Sequence, residues 1–348
     1  MSSIRKVAED AGVSIATVSR VINNQKTVAR AVRDRVLQSV NRCGYVPSVS
    51  RRSTNLVGLV YLGQSALGSP YDSALIQGMA DAMEGGTLDL VILNVNRDRL
   101  PDETFTQYFL RKGVRGAIVR ATAGDRAHCG EMFAELFPVV VLGDHFDHPT
   151  ANFIYSDSRP TSYQGVEHLI ALGHTRIAFA SSDREDAEHA DRREGYLAAL
   201  EDSGLTADPK LQYSVPAHRL DGAQLIRNLM STLEPPTAIY IVDPLVAVGA
   251  INEAHNMGIR IPDDLSILGF DDTDVRNNVY PRLTAVCQDA RQIGFEAFTA
   301  LASLISNGVN GEPCRVIRPT WLEINGTTGE APSKPSRILP DGRRVTCK

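Results

Sequence analysis

From Leu56 onward the chain alternates short apolar runs with amphipathic helical stretches, and the same rhythm then repeats. The first set of runs covers residues 56–61, 88–93, 116–119 and 138–142, separated by helical patterns over 71–83, 102–111 and 127–136. After a crossover near 155–157 come runs at 176–180, 213–215, 238–242 and 265–268, again with helices between. Runs that are apolar throughout suit strands buried on both faces, and the alternation with helices predicts parallel sheets covered on both sides. Two such units predict two lobes with a cleft between them, where strand ends and helix N-termini create polar sites. A length of 348 residues with 43% hydrophobic content fits a two-lobed body plus a smaller module.

That smaller module is the N-terminus. Ile4, Val7, Ala8 and Ala11 recur at helical spacing, Gly12 gives the freedom for a tight turn, and Val13 plugs the angle between this helix and the next. Ser14 is placed to N-cap a second helix whose Val18, Val21 and Ile22 point inward, leaving Ile15, Ala16, Ser19 and Arg20 outside. A third helical pattern runs over 29–43, with Val32, Val36, Leu37 and Val40 on one side. This is the pattern of a helix-turn-helix that can lie in a DNA major groove. Charge agrees: residues 1–55 hold ten Lys/Arg and three Asp/Glu, whereas the other 293 hold 26 basic and 38 acidic groups. A basic head on an acidic body is what phosphate contact at one end of a chain requires. The plainer reading is that any short amphipathic pair looks like this. It is weakened by the pair's place at the start of the chain and by the residues on its C-terminal side.

Residues 1–59 resemble the N-terminus of the LacI family of bacterial transcriptional regulators. The matching stretches are Ile4-Arg-Lys-Val-Ala8, Ala11-Gly-Val-Ser14, Ala16-Thr-Val-Ser-Arg-Val-Ile-Asn23 and Gly44-Tyr45-x-Pro47, and the resemblance continues to about residue 326. It implies an all-α head over 1–47, a linker over 48–55 and a periplasmic-binding-protein-like α/β body over 56–330 with three crossovers. Lobe one would span about 56–156 and 287–314, and lobe two about 157–286 and 315–328. The Pro-rich, basic segment 331–348 has no apolar periodicity and is expected to be disordered.

The resemblance also implies roles. Ile15, Ala16 and Arg20 are the expected base readers, Arg20 through two bonds to guanine and the other two through apolar contact. Ser14, Thr17, Ser19 and Asn23 suit phosphates, with helix capping as the plainer role for Thr17 and Ser19. The linker departs from the family: it is about five residues short, and the leucine that typically wedges into the minor groove falls in the gap. Arg51 and Arg52 remain to read a narrow minor groove, and DNA is expected to bend less, or through Val49; the alternative is that Leu56 serves as the wedge. For a ligand, the expected groups are Ser69, Tyr71, Asp72, Arg120, Asp144, Arg192, Asp243, Asp271, Gln288 and Asp289. Carboxylates beside arginines suit sugars, which need both donors and acceptors, although some of these groups are expected to be caps or salt bridges.

Other chemistry finds little support. Asp144-His-Phe-Asp-His148 has the residue types of a metal site but falls in a loop that lines the cleft in the family, and Asp271-Asp-Thr-Asp274 lacks the rest of a calcium loop. No phosphate-binding loop, nucleophile elbow or Ser/His/Asp set stands out, so no catalysis and no cofactor are expected. The five cysteines are scattered, no run approaches a membrane span, and the N-terminus lacks a signal-peptide pattern; these point to a cytoplasmic chain with free thiols. The expectation is a homodimeric regulator, acting by repression, that binds double-stranded operator DNA and a sugar-like effector. The alternatives are a solute-binding protein or a sugar-metabolising enzyme without a role at DNA.

Overall fold

The computed structural model describes residues 3–22, 25, 27–43, 45, 55–63, 67–183, 186–309, 311–338 and 343–347. The head is three helices, α1 (Ile4–Ala11), α2 (Ile15–Ile22) and α3 (Arg30–Arg42). Gly12 ends α1 at φ 61°, a left-handed conformation that glycine adopts without the steric cost a Cβ brings. Val7, Ala8, Ala11, Val18, Val21, Val36, Leu37 and Val40 close the head's core. Each valine or leucine fully removed from water there contributes about 1.5–3 kcal/mol.

The body runs β1 (Leu56–Tyr61), α4 (Pro70–Met83), β2 (Asp89–Asn94), α5 (Val95–Asp98), α6 (Phe105–Lys112), β3 (Val114–Arg120), α7 (Arg126–Ala134), β4 (Val139–Leu142) and β5 (Phe153–Asp157). It continues with α8 (Arg159–Ala171), β6 (Ile177–Ser182), α9 (Ala187–Asp202), β7 (Gln212–Val215), α10 (Arg219–Ser231), β8 (Ala238–Ile241), α11 (Pro244–Asn256), β9 (Ser266–Asp271) and β10 (Thr284–Cys287). Next come α12 (Ala290–Asn307), β11 (Arg315–Pro319), β12 (Trp321–Glu323) and a final pair, β13 (Ser336–Ile338) and β14 (Arg344–Thr346). One sheet has the order β11-β5-β4-β3-β1-β2 and the other β12-β10-β9-β8-β6-β7. The apolar runs are the parallel strands, those at 88–93 and 213–215 forming the edge strands β2 and β7, and β12 joins β10 antiparallel as the opposite edge of its sheet.

The chain divides into two compact units. Unit one is Met1–Leu67, Leu75–Tyr155 and Arg291–Ile317; unit two is Gly68–Ala74, Ser156–Ala290 and Arg318–Lys348. The unit boundaries in the body fall after Tyr155, Ala290 and Ile317, with Gly68–Ala74 in unit two. Within unit two, α10 and α11 approach so closely that a Cβ on Gly249 would lie 1.8 Å from the Arg219 carbonyl oxygen.

Two expectations need correction. Leu56 is not a free wedge, because it opens β1 and pairs with Asp89 on one side and Val114 on the other. The tail is not disordered in its described part. β13 and β14 form an antiparallel pair, Ile338 is buried in the unit-two core beside residues of α10 and α11, and Arg344 bridges both carboxylate oxygens of Asp264 at 3.0 and 2.5 Å. Tertiary contacts order a segment whose own sequence has little apolar content.

Candidate functional site

Two regions collect the candidate residues: the outer face of α2, and the carboxyl edges of the two large sheets. In the head, Ser14 accepts a bond from the Thr17 amide at 3.1 Å, and its hydroxyl meets the Thr17 hydroxyl at 2.9 Å. Ser14 therefore caps α2 and fixes where the helix starts, while the Thr17 hydroxyl buttresses the capping side chain. With Val18 and Val21 buried, Ile15 (44% exposed), Ala16 and Arg20 are left on the outside of α2. A rigid helix presenting one arginine and a small apolar pair is suited to base edges in a major groove. Ser19 is half-buried. Asn23, Arg51, Arg52 and Val49 lie outside the described residues.

In the Gly68–Ala74 stretch, which belongs to unit two, Ser69 N-caps the start of α4 by accepting the Asp72 amide at 3.1 Å, and Tyr71 and Asp72 are buried. Arg120 is the last residue of β3, and Asp144 comes just after β4. Asp144 is buried; one oxygen takes the Arg126 guanidinium and the His145 amide, while the other has no hydrogen-bond partner. Burial pushes its carboxyl above the usual range against those two donors. Arg126 also lies 4.6 Å over the Phe146 ring. His148 meets the Thr150 hydroxyl at 3.1 Å, so the residues of the Asp144–His148 run are engaged with different partners.

In unit two, the ends of β6, β8, β9 and β10 bring together Ser181, Val242, Asp272 and Gln288. Arg192, from α9, is buried with its guanidinium 3.5 Å from the Phe270 ring centroid; it donates to the Val242 carbonyl at 3.1 Å and reaches Glu188 at 3.5 Å. Gln288 Nε2 donates to Asp272 at 2.6 Å, leaving Gln288 Oε1 buried without a partner. Ser156 Oγ, Ser181 Oγ and Arg192 Nε are buried and unpartnered as well. Burial pushes the Asp272 carboxyl up to about 6, against the charge of Arg192 and the Gln288 bond, with Asp243 and Asp271 adding repulsion. Unsatisfied buried polar atoms are costly and rare, so this cluster marks a place where a polar molecule or water belongs.

Two of the expected ligand groups are held by their own backbone turns. Asp271 is fully buried and accepts from the Thr273, Val275 and Arg276 amides and from Arg276 Nη1 at 2.8 Å, which ties its carboxylate to its own turn. Its neighbour Asp272 is instead the carboxylate beside Gln288 and Arg192. Asp243 N-caps α11, accepting the Leu245 and Val246 amides at 2.9 and 3.1 Å with Pro244 in the first turn. Asp289 is exposed at the start of α12. Glu188, Ser156 and Ser181 were missed, since nothing in their local sequence separates them from capping residues.

The chain matches two family models: bacterial regulatory proteins, lacI family, over residues 3–48, and a periplasmic binding protein-like domain over 166–328. It is 28% identical over 342 residues to the HTH-type transcriptional regulator DegA of Bacillus subtilis, covering 94% of this chain and 98% of that one. Catabolite control protein A of Priestia megaterium is 29% identical, covering 87% and 92% respectively. The solved structure of the transcriptional regulator CelR in complex with cellobiose superposes with a TM-score of 0.68 at 25% identity, over 93% of this chain and 99% of the other.

Proposed function

We propose that this chain, a member of the lacI family of bacterial regulatory proteins, represses transcription as a homodimer whose hold on an operator is set by a sugar-like effector. One head reads only a half-site, so two heads on a near-palindrome add their contacts. The effector is held at the carboxyl edge of the unit-two sheet, where Arg192, Asp272 and Gln288 offer donors and acceptors in the mixture a polyol requires. The cellobiose carried by the CelR structure is a precedent for a sugar on this fold. The observation that carries the reading is the capped, outward-facing α2 with Ile15, Ala16 and Arg20 exposed on a head with a closed apolar core.

The test has two stages. A thermal-shift screen with neutral sugars, sugar acids and sugar phosphates finds the effector. Duplexes from the upstream region of the gene are then titrated with protein at several salt concentrations, with and without each hit. The reading expects affinity to fall steeply with salt, to exceed that for random DNA by at least about a thousandfold, and to change with the effector. Equal binding to all duplexes, or none at low salt, contradicts it.

A further inference from the structure

Within unit one, the α/β part grips the head through side chains. Gln107, in the first turn of α6, donates from Nε2 to the Val21 carbonyl at 3.0 Å. That carbonyl is in the last turn of α2, where helix geometry leaves four oxygens without partners, so Gln107 caps the C-terminus of the reading helix. The same amide accepts the Thr104 amide at 3.1 Å through Oε1, which closes the capping box of α6. On the other side, Asn41 of α3 donates to Thr106 Oγ1 at 3.1 Å and to the Glu135 carbonyl. The Glu135 carboxylate in turn receives the Phe105 and Thr106 amides at 3.1 and 2.6 Å. Leu110 of α6 is counted in the head's own core, beside Val21 and Val40.

Asn41, Thr106, Gln107 and Leu110 are all at most 6% exposed. This is a buried joint in which each polar group has a partner, and buried polar joints of that kind specify one orientation because any other leaves them unsatisfied. The joint touches α2 at its C-terminal end and α3 at Asn41, while Ile15, Ala16 and Arg20 stay exposed. It therefore leaves the DNA-reading face open.

We propose that α6 and the end of α7 form a seat that locks the head to unit one as a single rigid body, so that displacement of unit one is delivered to α2 through Gln107 and Asn41 rather than through residues 48–55 alone. The linker, which the family resemblance leads one to expect to be short, need not then carry the signal alone. The regulatory consequence rests on the function proposed above; the existence of the seat does not.

The test separates the two. In the full chain, NMR relaxation of backbone amides compares the head (Val7, Val18, Val36) with β3 and β4. The seat predicts one shared rotational correlation time. Gln107→Glu keeps the acceptor for Thr104 but turns an oxygen toward the Val21 carbonyl, and Asn41→Ala removes the second anchor. Together they should shorten the head's correlation time several-fold, with slow amide exchange at Val7, Val18 and Val36 showing that the head is still folded. A wild-type head that already tumbles faster than the sheet, or a folded double-variant head that still tumbles with it, overturns the seat. On upstream duplex DNA, the double variant should bind but lose most of the change in affinity caused by a thermal-shift hit. An undiminished change overturns the delivery role. If the wild type itself fails to bind DNA, that counts against the regulator reading, while the relaxation result still decides the seat.

Discussion

Folding of the tail onto unit two can be tested by removing its two anchors. Ile338 is 5% exposed in the unit-two core, and its truncation to alanine at a chain terminus that can partly relax should cost about 2 kcal/mol, the low end for buried aliphatic deletions. Asp264 is 7% exposed; burial alone would raise its carboxyl, yet bonds from Arg260 and Arg344 hold it at about 2, down from 3.8. At about 1.4 kcal/mol per unit that is about 2 kcal/mol shared between two arginines. Arg344 is 34% exposed, so solvent screening leaves about 1 kcal/mol for Arg344→Ala. Urea unfolding monitored by the fluorescence of Trp321, the chain's single tryptophan, reports on unit two because β12 belongs to that sheet. The two losses should add to about 3 kcal/mol in the double variant, since the sites do not share a partner. The Arg344→Ala loss also has a pH signature. The carboxylate's contribution is present above pH 4 and disappears as pH falls through the range from 3.8 to about 2, so the variant and wild type should converge there. If both single variants unfold at the wild-type midpoint, the tail does not pack as described.

Arg20→Ala should cost about 1–3 kcal/mol of operator affinity and relax preference at one base position, leaving affinity for random DNA nearly unchanged, as measured by anisotropy on a panel of single-base operator variants. Asp272→Asn should abolish the effector's thermal shift while stabilising the ligand-free protein by about 3 kcal/mol at pH 8. The sign comes from a folded carboxyl at about 6 and an unfolded one near 3.8, which makes wild-type stability fall as pH rises through that window; the variant's denaturation midpoint should not show that fall. His174 is fully buried among Thr237, Ser266 and the Gly329 carbonyl, and burial lowers its pKa; stability should therefore decline as pH drops below 6.5, and His174→Gln should flatten the decline.

The head and both sheets were legible because each is written in a periodicity that local physics enforces. The spacing of Val7, Ala8 and Ala11 reads as a helix, and the short apolar runs at 56–61 and 265–268, alternating with helical patterns, read as strands covered on both faces, as β1 and β9 are. The edge of the unit-two sheet was legible only to the nearest residue. Asp271 and Asp272 are chemically identical neighbours, and which of them faces the polar cluster is decided by the turn after β9, where three backbone amides and Arg276 claim the first. Asp243 stood out as unusual, but its role as a cap comes from Pro244 in the first helical turn rather than from any ligand. The tail could not be foreseen, since its fold depends on Asp264, 80 residues before Arg344 in the chain, and on a core site that Ile338 fills. Gln107 likewise gives no local sign of reaching α2, because the signal of a capping box is satisfied by Thr104 alone.

The central claim is that a ligand on the body changes what α2 does at DNA. It is tested most directly by titrating the full chain against one upstream duplex at fixed salt, in the absence and presence of a saturating thermal-shift hit. The account predicts a change in Kd of at least about fivefold, the lower end of ordinary allosteric coupling, and an equal change in the ligand's own Kd when DNA is bound. Identical Kd values with and without a ligand that demonstrably binds would contradict it.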